Sequence, residues 1–243
     1  MWMSRVIGHR GAAGVAPENT LAGIQAAARL GVPWVELDAT LLGDGVPVLF
    51  HDRRLNRTTG HTGRLNSLKV SQLSEVDAGS WFAEAFSGER IPLLSEALSM
   101  IKTLGLGLNL ELKPNGCSLH RLVDSVVDAL QVSGFPEDKL LVSSFSYKAL
   151  LLFRARSDFS IGCLFESLPR GWPGKAEKVR ALSLHLKAGR LTQDQAFQIK
   201  ASGYELYCYT VNSTRQAVQL MEWGVDGVFS DFPSGGGVAL AYG

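Results

Sequence analysis

The chain lacks the marks of several large protein classes. It has only three cysteines in 243 residues, an odd number. Cys117, Cys163 and Cys208 lie far apart in apolar surroundings, which argues against a disulfide framework and against a cysteine zinc site. Reduced core thiols of this kind fit the cytoplasm. No run of about 18 apolar residues occurs, so no stable membrane insertion is expected. The chain enters a strand pattern almost at once, and no secretory leader is expected either. Charge of one sign is also missing: 24 Lys and Arg stand against 23 Asp and Glu, for a net +1. No global field draws the chain to nucleic acid or to an anionic surface, and any anion must be recognised locally.

What the sequence does have is a repeated alternation of short β-rich runs with helical patterns, on a composition that is 46% hydrophobic. The runs cover residues 4–9, 33–40, 46–52, 106–113, 139–145, 160–165, 179–186, 204–211 and 225–231. Between several of them, apolar residues recur at helical spacing, as in "LHRLVDSVVDALQVSG" and "STRQAVQLMEWG". Repeated βα units over this length predict a (β/α)₈ barrel, with a doubly wound open sheet as the competitor. Nine runs for eight places is a misfit. Only "LLGDG" precedes residues 46–52, too short for a crossover helix, so that run is either a hairpin arm or follows a helix-less crossover. Residues 53–91 break the rhythm with a polar, glycine-containing stretch that carries Trp81 and Phe82. They read as an insertion in a single domain spanning 1–243, covering a site at a strand end.

Ionisable residues within buried parallel strands are the informative exceptions. His9 and Arg10 end the first run, Glu36 and Asp38 share a face of "WVELDAT", His51 and Asp52 end "VLFHD", and Glu111 and Lys113 share a face of "LNLELKP". In a barrel these strand ends meet on one rim. Glu36, Asp38 and Glu111 brought together repel unless a cation sits among them, and an all-oxygen set favours Mg²⁺ or Ca²⁺. A divalent ion with Arg10 and Lys113 leaves one positive charge beyond the three carboxylates, which suits a singly charged phosphodiester. His9 and His51 are placed to act as general base and general acid on either side of a scissile P–O bond. The residues thus point to metal-assisted phosphodiester cleavage, with Arg10 and Lys113 on the phosphate oxygens.

The same residues sit in "HRGAAGVAPENT" (9–20), "VELDATLLGDGVPVLFHD" (35–52), "LNRTTGHTG" (55–63), "IPLLSEAL" (91–98), "LNLELKP" (108–114), "YTVN" (209–212) and "DGVFSDFP" (226–233). In that order, over nearly the whole chain, they resemble the glycerophosphodiester phosphodiesterase family, and "DAGSWFAEAFSGERIPLL" resembles its cytoplasmic bacterial members. The resemblance implies a phospholipase-C-like barrel that converts glycerophosphodiesters to glycerol 3-phosphate and an alcohol such as choline or ethanolamine. It implies His9 and His51 as the acid–base pair, Glu36, Asp38 and Glu111 as ligands of one Mg²⁺ or Ca²⁺, and Arg10 and Lys113 as phosphate contacts. Glu18, Trp81 and Tyr209 are further candidates for contact with substrate, while Asn19 is placed to cap the following helix. Asp52 is expected to orient a histidine or fix the insertion, and His185 to face the rim as a structural residue. Two rivals remain at this stage: a lysophospholipase D-like phosphodiesterase, and a non-catalytic barrel that binds a phosphate ligand.

Overall fold

The strand-like runs become nine strands in a computed structural model that describes residues 3–233. They are β1 (Val6–Gly8), β2 (Trp34–Leu41), β3 (Pro47–Leu49), β4 (Gly107–Leu112), β5 (Leu140–Ser144), β6 (Ser160–Phe165), β7 (Ser183–Lys187), β8 (Glu205–Tyr209) and β9 (Gly227–Ser230). Eight of them pair in parallel, and β1, held between β9 and β2, closes the ring. This is the expected (β/α)₈ barrel rather than an open sheet. The ninth run resolves as a hairpin arm. β3 lies antiparallel on the far end of β2, with Ala39 opposite Leu49 and Leu41 opposite Pro47, because β1 is too short to occupy that edge of β2.

Helices cover the outside through their apolar stripes. α1 (Leu21–Arg29), α2 (Leu94–Thr103), α3 (Leu119–Ser133), α4 (Tyr147–Arg156), α5 (Trp172–Lys178), α6 (Gln193–Ala201) and α7 (Thr214–Glu222) follow the strands in turn. In α3, Leu122, Val123, Val126, Val127 and Leu130 are buried at the i, i+4, i+8 spacing of one face. Gly134 then ends the helix in the left-handed conformation. One boundary differs from the pattern in the sequence. Residues 179–182 do not extend the seventh strand run, because Val179 caps α5 and Arg180 turns left-handed at φ +51°.

Residues 53–91 contain only short 3₁₀ turns, such as Val70–Glu75. Leu55, Leu65, Leu73, Val76 and Ala78 pack with Val48 and Phe50 of the hairpin arm into a core of their own. Insertion and hairpin therefore form one small packing unit.

The barrel interior holds an uncharged histidine. Strand β7 runs two residues beyond His185, so Lys187 rather than His185 reaches the rim cavity. His185 is fully buried beside Tyr207 and Phe229, with Nε2 2.9 Å from Ser183 Oγ. Burial pushes its pKa from 6.5 down to about 3. The unfolded chain therefore takes up a proton here at a pH where the folded chain does not, and stability present above pH 6.5 is lost as pH falls towards 3. The stability advantage of the natural chain over H185F should accordingly shrink, measured by thermal melts, between pH 7 and pH 4. An advantage unchanged over that range would show that His185 does not titrate on unfolding.

Candidate active site

Alternation along β2 and β4 turns Glu36, Asp38 and Glu111 inward, and the register sets Glu36 beside Asn109 and Asp38 beside Glu111. The three carboxylates are all buried, and an oxygen of each lies within 4.8 Å of the others. Their ionisation is correspondingly uneven. Burial and the charges of Asp38 and Glu111 push Glu36 well above its ordinary value, and burial with Asp38 raises Glu111 to about 7. Burial acts on Asp38 too, but Lys113 and Arg10 outweigh it and hold that carboxylate at about 2. A trio with one settled anion and two protonatable neighbours is a set of hard oxygen donors that a divalent cation can occupy.

Cations and amides fix the trio from the side. Lys113 Nζ lies 2.6 Å from Glu111 Oε1 and 3.4 Å from Asp38 Oδ1, over the ring of Phe145. Asn19 does not cap α1; Thr20 does, accepting from the Gly23 N–H. Asn19 instead donates to Asp38 Oδ2 at 2.7 Å and accepts from the Asp38 N–H at 2.9 Å. At the end of β1 the backbone turns sharply. Arg10 adopts φ +50°, and its N–H donates to Glu36 Oε2 at 2.9 Å. Gly11 follows at φ +92°, where a Cβ would sit 2.7 Å from the Gly23 carbonyl carbon, so only glycine lets this turn pack on α1.

Each histidine has its own aspartate. His9 Nδ1 lies 2.7 Å from Asp231 Oδ1, and Asn212 Nδ2 donates to the other oxygen of Asp231 at 2.7 Å. His51 Nδ1 lies 2.6 Å from Asp52 Oδ1, the orienting contact expected of Asp52. Carboxylates on both Nδ1 atoms direct both Nε2 atoms away from their aspartates. Burial lowers the His51 pKa, with Arg10 and Lys113 acting in the same direction against Asp38 and Asp52. His9, Arg10, Glu36, His51, Glu111 and Lys113 all border one cavity of about 570 Å³ at the C-terminal end of the strands. A family model for the glycerophosphoryl diester phosphodiesterases matches residues 9–234, starting at His9 itself.

The chain belongs to the glycerophosphoryl diester phosphodiesterase family.

Among solved structures it is similar to an Oleispira antarctica phosphodiesterase in complex with the product sn-glycerol-3-phosphate. The two are 38% identical, with 99% of this chain and 97% of that one covered and a TM-score of 0.95. It is also 31% identical over 230 residues to the glycerophosphodiester phosphodiesterase of Caldanaerobacter subterraneus subsp. tengcongensis, covering 94% of each chain. A third relative, the glycerophosphodiester phosphodiesterase of Bacillus altitudinis, is 30% identical over 236 residues, covering 95% of this chain and 96% of the relative.

For a glycerophosphoryl diester phosphodiesterase the remaining candidates fall into two groups. Tyr209 lines the cavity, edge-on to Phe145, with its hydroxyl donating to the Phe165 carbonyl at 3.0 Å. Trp81 does not line it, because its ring packs against Phe82 and its indole N–H donates to the Ala78 carbonyl. Glu18 does not line it either. Its carboxylate is engaged by Arg10 Nη1 at 2.7 Å and by Arg57, and it borders an adjoining cavity with His9, Arg10 and Asp231. Sequence reasoning missed Phe145, Asn109 and Lys187, all on the cavity wall, and Asp231, the partner of His9. The signal for Asp231 was an acidic residue ending the last strand, which a closed barrel must place next to the first.

The uneven ionisation predicts proton competition for a cation. Mg²⁺ or Ca²⁺ should raise the melting temperature more at pH 8 than at pH 5.5, because Glu36 and Glu111 must lose protons to bind. E111Q should reduce the shift at both pH values. A shift of equal size at both pH values would refute the trio as the binding site.

Proposed function

We propose that the chain hydrolyses small, soluble glycerophosphodiesters to sn-glycerol 3-phosphate and an alcohol, using His9 and His51 as the proton-transfer pair. The observation that carries this reading is the pair of His–Asp contacts on one cavity with the carboxylate trio between them. One histidine takes the proton of the attacking hydroxyl, from water or from the substrate's own glycerol, and the other returns a proton to the departing alkoxide. Arg10 borders the cavity, its buried Nε 3.5 Å from Asp38 Oδ2 without a full hydrogen bond among the described residues, and its guanidinium offers positive charge to a phosphate oxygen. Lys113, tethered between Asp38 and Glu111, neutralises charge on the same group. Glu36, Asp38 and Glu111 would hold one Mg²⁺ or Ca²⁺, which when bound polarises the phosphoryl group.

The wall opposite the trio, with Phe145, Leu164, Tyr209 and Phe229, offers apolar contact for the carbon skeleton of glycerol or of the alcohol. Residues 53–91 form the rim unit beside His51. The absence of any helix long and apolar enough to cross a membrane among the described residues is compatible with a soluble substrate and a cytoplasmic setting.

The test is release of sn-glycerol 3-phosphate from glycerophosphocholine and glycerophosphoethanolamine, with chelator and metal add-back. H9A and H51A should each lower kcat by about 10³-fold or more while melting as the natural chain does. Near-normal turnover in both variants would overturn the acid–base assignment, and activity surviving complete metal removal would overturn the metal. Faster cleavage of lysophosphatidylcholine than of glycerophosphocholine would replace the substrate class with a lysophospholipid.

A further inference from the structure

The second histidine is not held by the barrel. His51 follows β3, which lies outside the closed ring, paired with the far end of β2 and bridged to Leu93 through Val48, so closure of the ring does not set the orientation of its imidazole. Other side chains take over that task. Asn115, in a left-handed turn at φ +48°, donates to the His51 and Asp52 carbonyls at 3.1 and 3.2 Å and anchors the backbone. The imidazole is held by Asp52, and Asp52 is held by Arg57.

Arg57, in the first turn of the insertion, grips two carboxylates. Its Nε and Nη2 donate to Asp52 Oδ2 and Oδ1 at 2.7 and 3.0 Å. Its Nη1 and Nη2 donate to Glu18 Oε2 and Oε1 at 2.7 and 2.8 Å. Each carboxylate then reaches a group in the cavity wall: Asp52 Oδ1 meets His51 Nδ1 at 2.6 Å, and Glu18 Oε1 accepts from Arg10 Nη1 at 2.7 Å. We infer that Arg57 is a positioning residue for the reaction, fixing His51 through Asp52 and Arg10 through Glu18 with one guanidinium. The inference rests on the roles proposed above for His51 and Arg10.

Fold stability does not account for this arrangement. The Arg57 side chain is 44% exposed, and Glu18, 10% exposed, keeps Arg10 as a second partner without it, so these pairs stabilise the fold less than a closed buried pair would. Orientation does account for it. A planar fork can hold two carboxylates in fixed planes, and each carboxylate passes that constraint to the group beyond it. An ammonium is a point charge on a flexible stem and cannot replace it.

R57M and R57K, with H51A as control, test the assignment through kcat and KM on glycerophosphocholine, the Kd for sn-glycerol 3-phosphate, and the melting temperature. The inference requires H51A to be inactive and R57M to lose about 100-fold in kcat. It also requires about 10-fold weaker product binding in R57M, with melting within about 4 °C of the natural chain. R57K should recover only a small part of either loss. The two losses should separate: R57M adds little to D52N in kcat, and little to E18Q in product binding. Kinetics in R57M and R57K within about twofold of the natural chain, or losses that simply multiply with those of D52N and E18Q, would overturn the positioning role while an inactive H51A leaves the site reading intact. An active H51A would overturn both.

Discussion

Three carboxylates share one buried point in the barrel, and their mutual repulsion governs what surrounds them. Glu36 and Asp38 come from one strand and Glu111 from its neighbour, so strand alternation and register bring them together with no freedom to part. Unrelieved, such a cluster takes up protons, and the carboxyls of Glu36 and Glu111 are accordingly pushed above their ordinary value. Relief comes from a ring of positive groups: Lys113 against Asp38 and Glu111, Arg10 against Asp38, the Arg10 N–H on Glu36, and the Asn19 amide on Asp38. The left-handed backbone at Arg10 belongs to the same arrangement. It turns the N–H towards Glu36 while the guanidinium reaches Asp38 and Glu18, and a strained conformation is retained only where its surroundings over-determine it.

The two cavity histidines have different structural origins. His9 directly follows a barrel strand, and its aspartate comes from the adjoining strand end after β9, so closure of the barrel itself assembles that pair. His51 lies on a hairpin arm outside the ring and takes its aspartate from the next residue. A local pair of that kind moves with its loop and needs external fixing. The arm is tied by Phe50 N–H to the Asp38 carbonyl and by Asn115 to the two residues that follow. The carboxylate trio thus lies between a side fixed by topology and a side fixed by contacts.

That difference explains what was legible in the sequence. Features with short-range periodicity could be read directly: the inward pairs Glu36/Asp38 and Glu111/Lys113 and the βα rhythm. Contacts set by closure needed a further step. Asp231 is 222 residues from His9, and its acidic strand end becomes a partner only once the last strand is taken to close on the first. Asn19 was misjudged because a position before a helix invites a capping role, whereas Thr20 fills it and frees the Asn19 amide for Asp38. The cations that engage Glu18 come from the β1 turn and the insertion, contacts that no local pattern records. The placement of β3 required knowing that β1 ends after three residues, leaving an edge of β2 for the hairpin.

The strands divide the cavity unevenly. His9, Arg10, Glu36, His51, Glu111 and Lys113 come from β1, β2, the hairpin arm and β4 or just beyond their ends, whereas Phe145, Leu164, Tyr209 and Phe229 come from the other half of the ring, with Glu166 and Lys187 as the charged exceptions there. Lys113 joins the halves, its ammonium lying between two carboxylates and over the Phe145 ring. The ring in turn stands edge-on to Tyr209, whose hydroxyl is tied to the Phe165 carbonyl. A cation in contact with an aromatic face is shielded from water on that side, so its attraction for an anion in the cavity is screened less than that of a surface lysine. The aromatic side of the cavity therefore contributes to the charged side, by lowering the dielectric around the Lys113 ammonium.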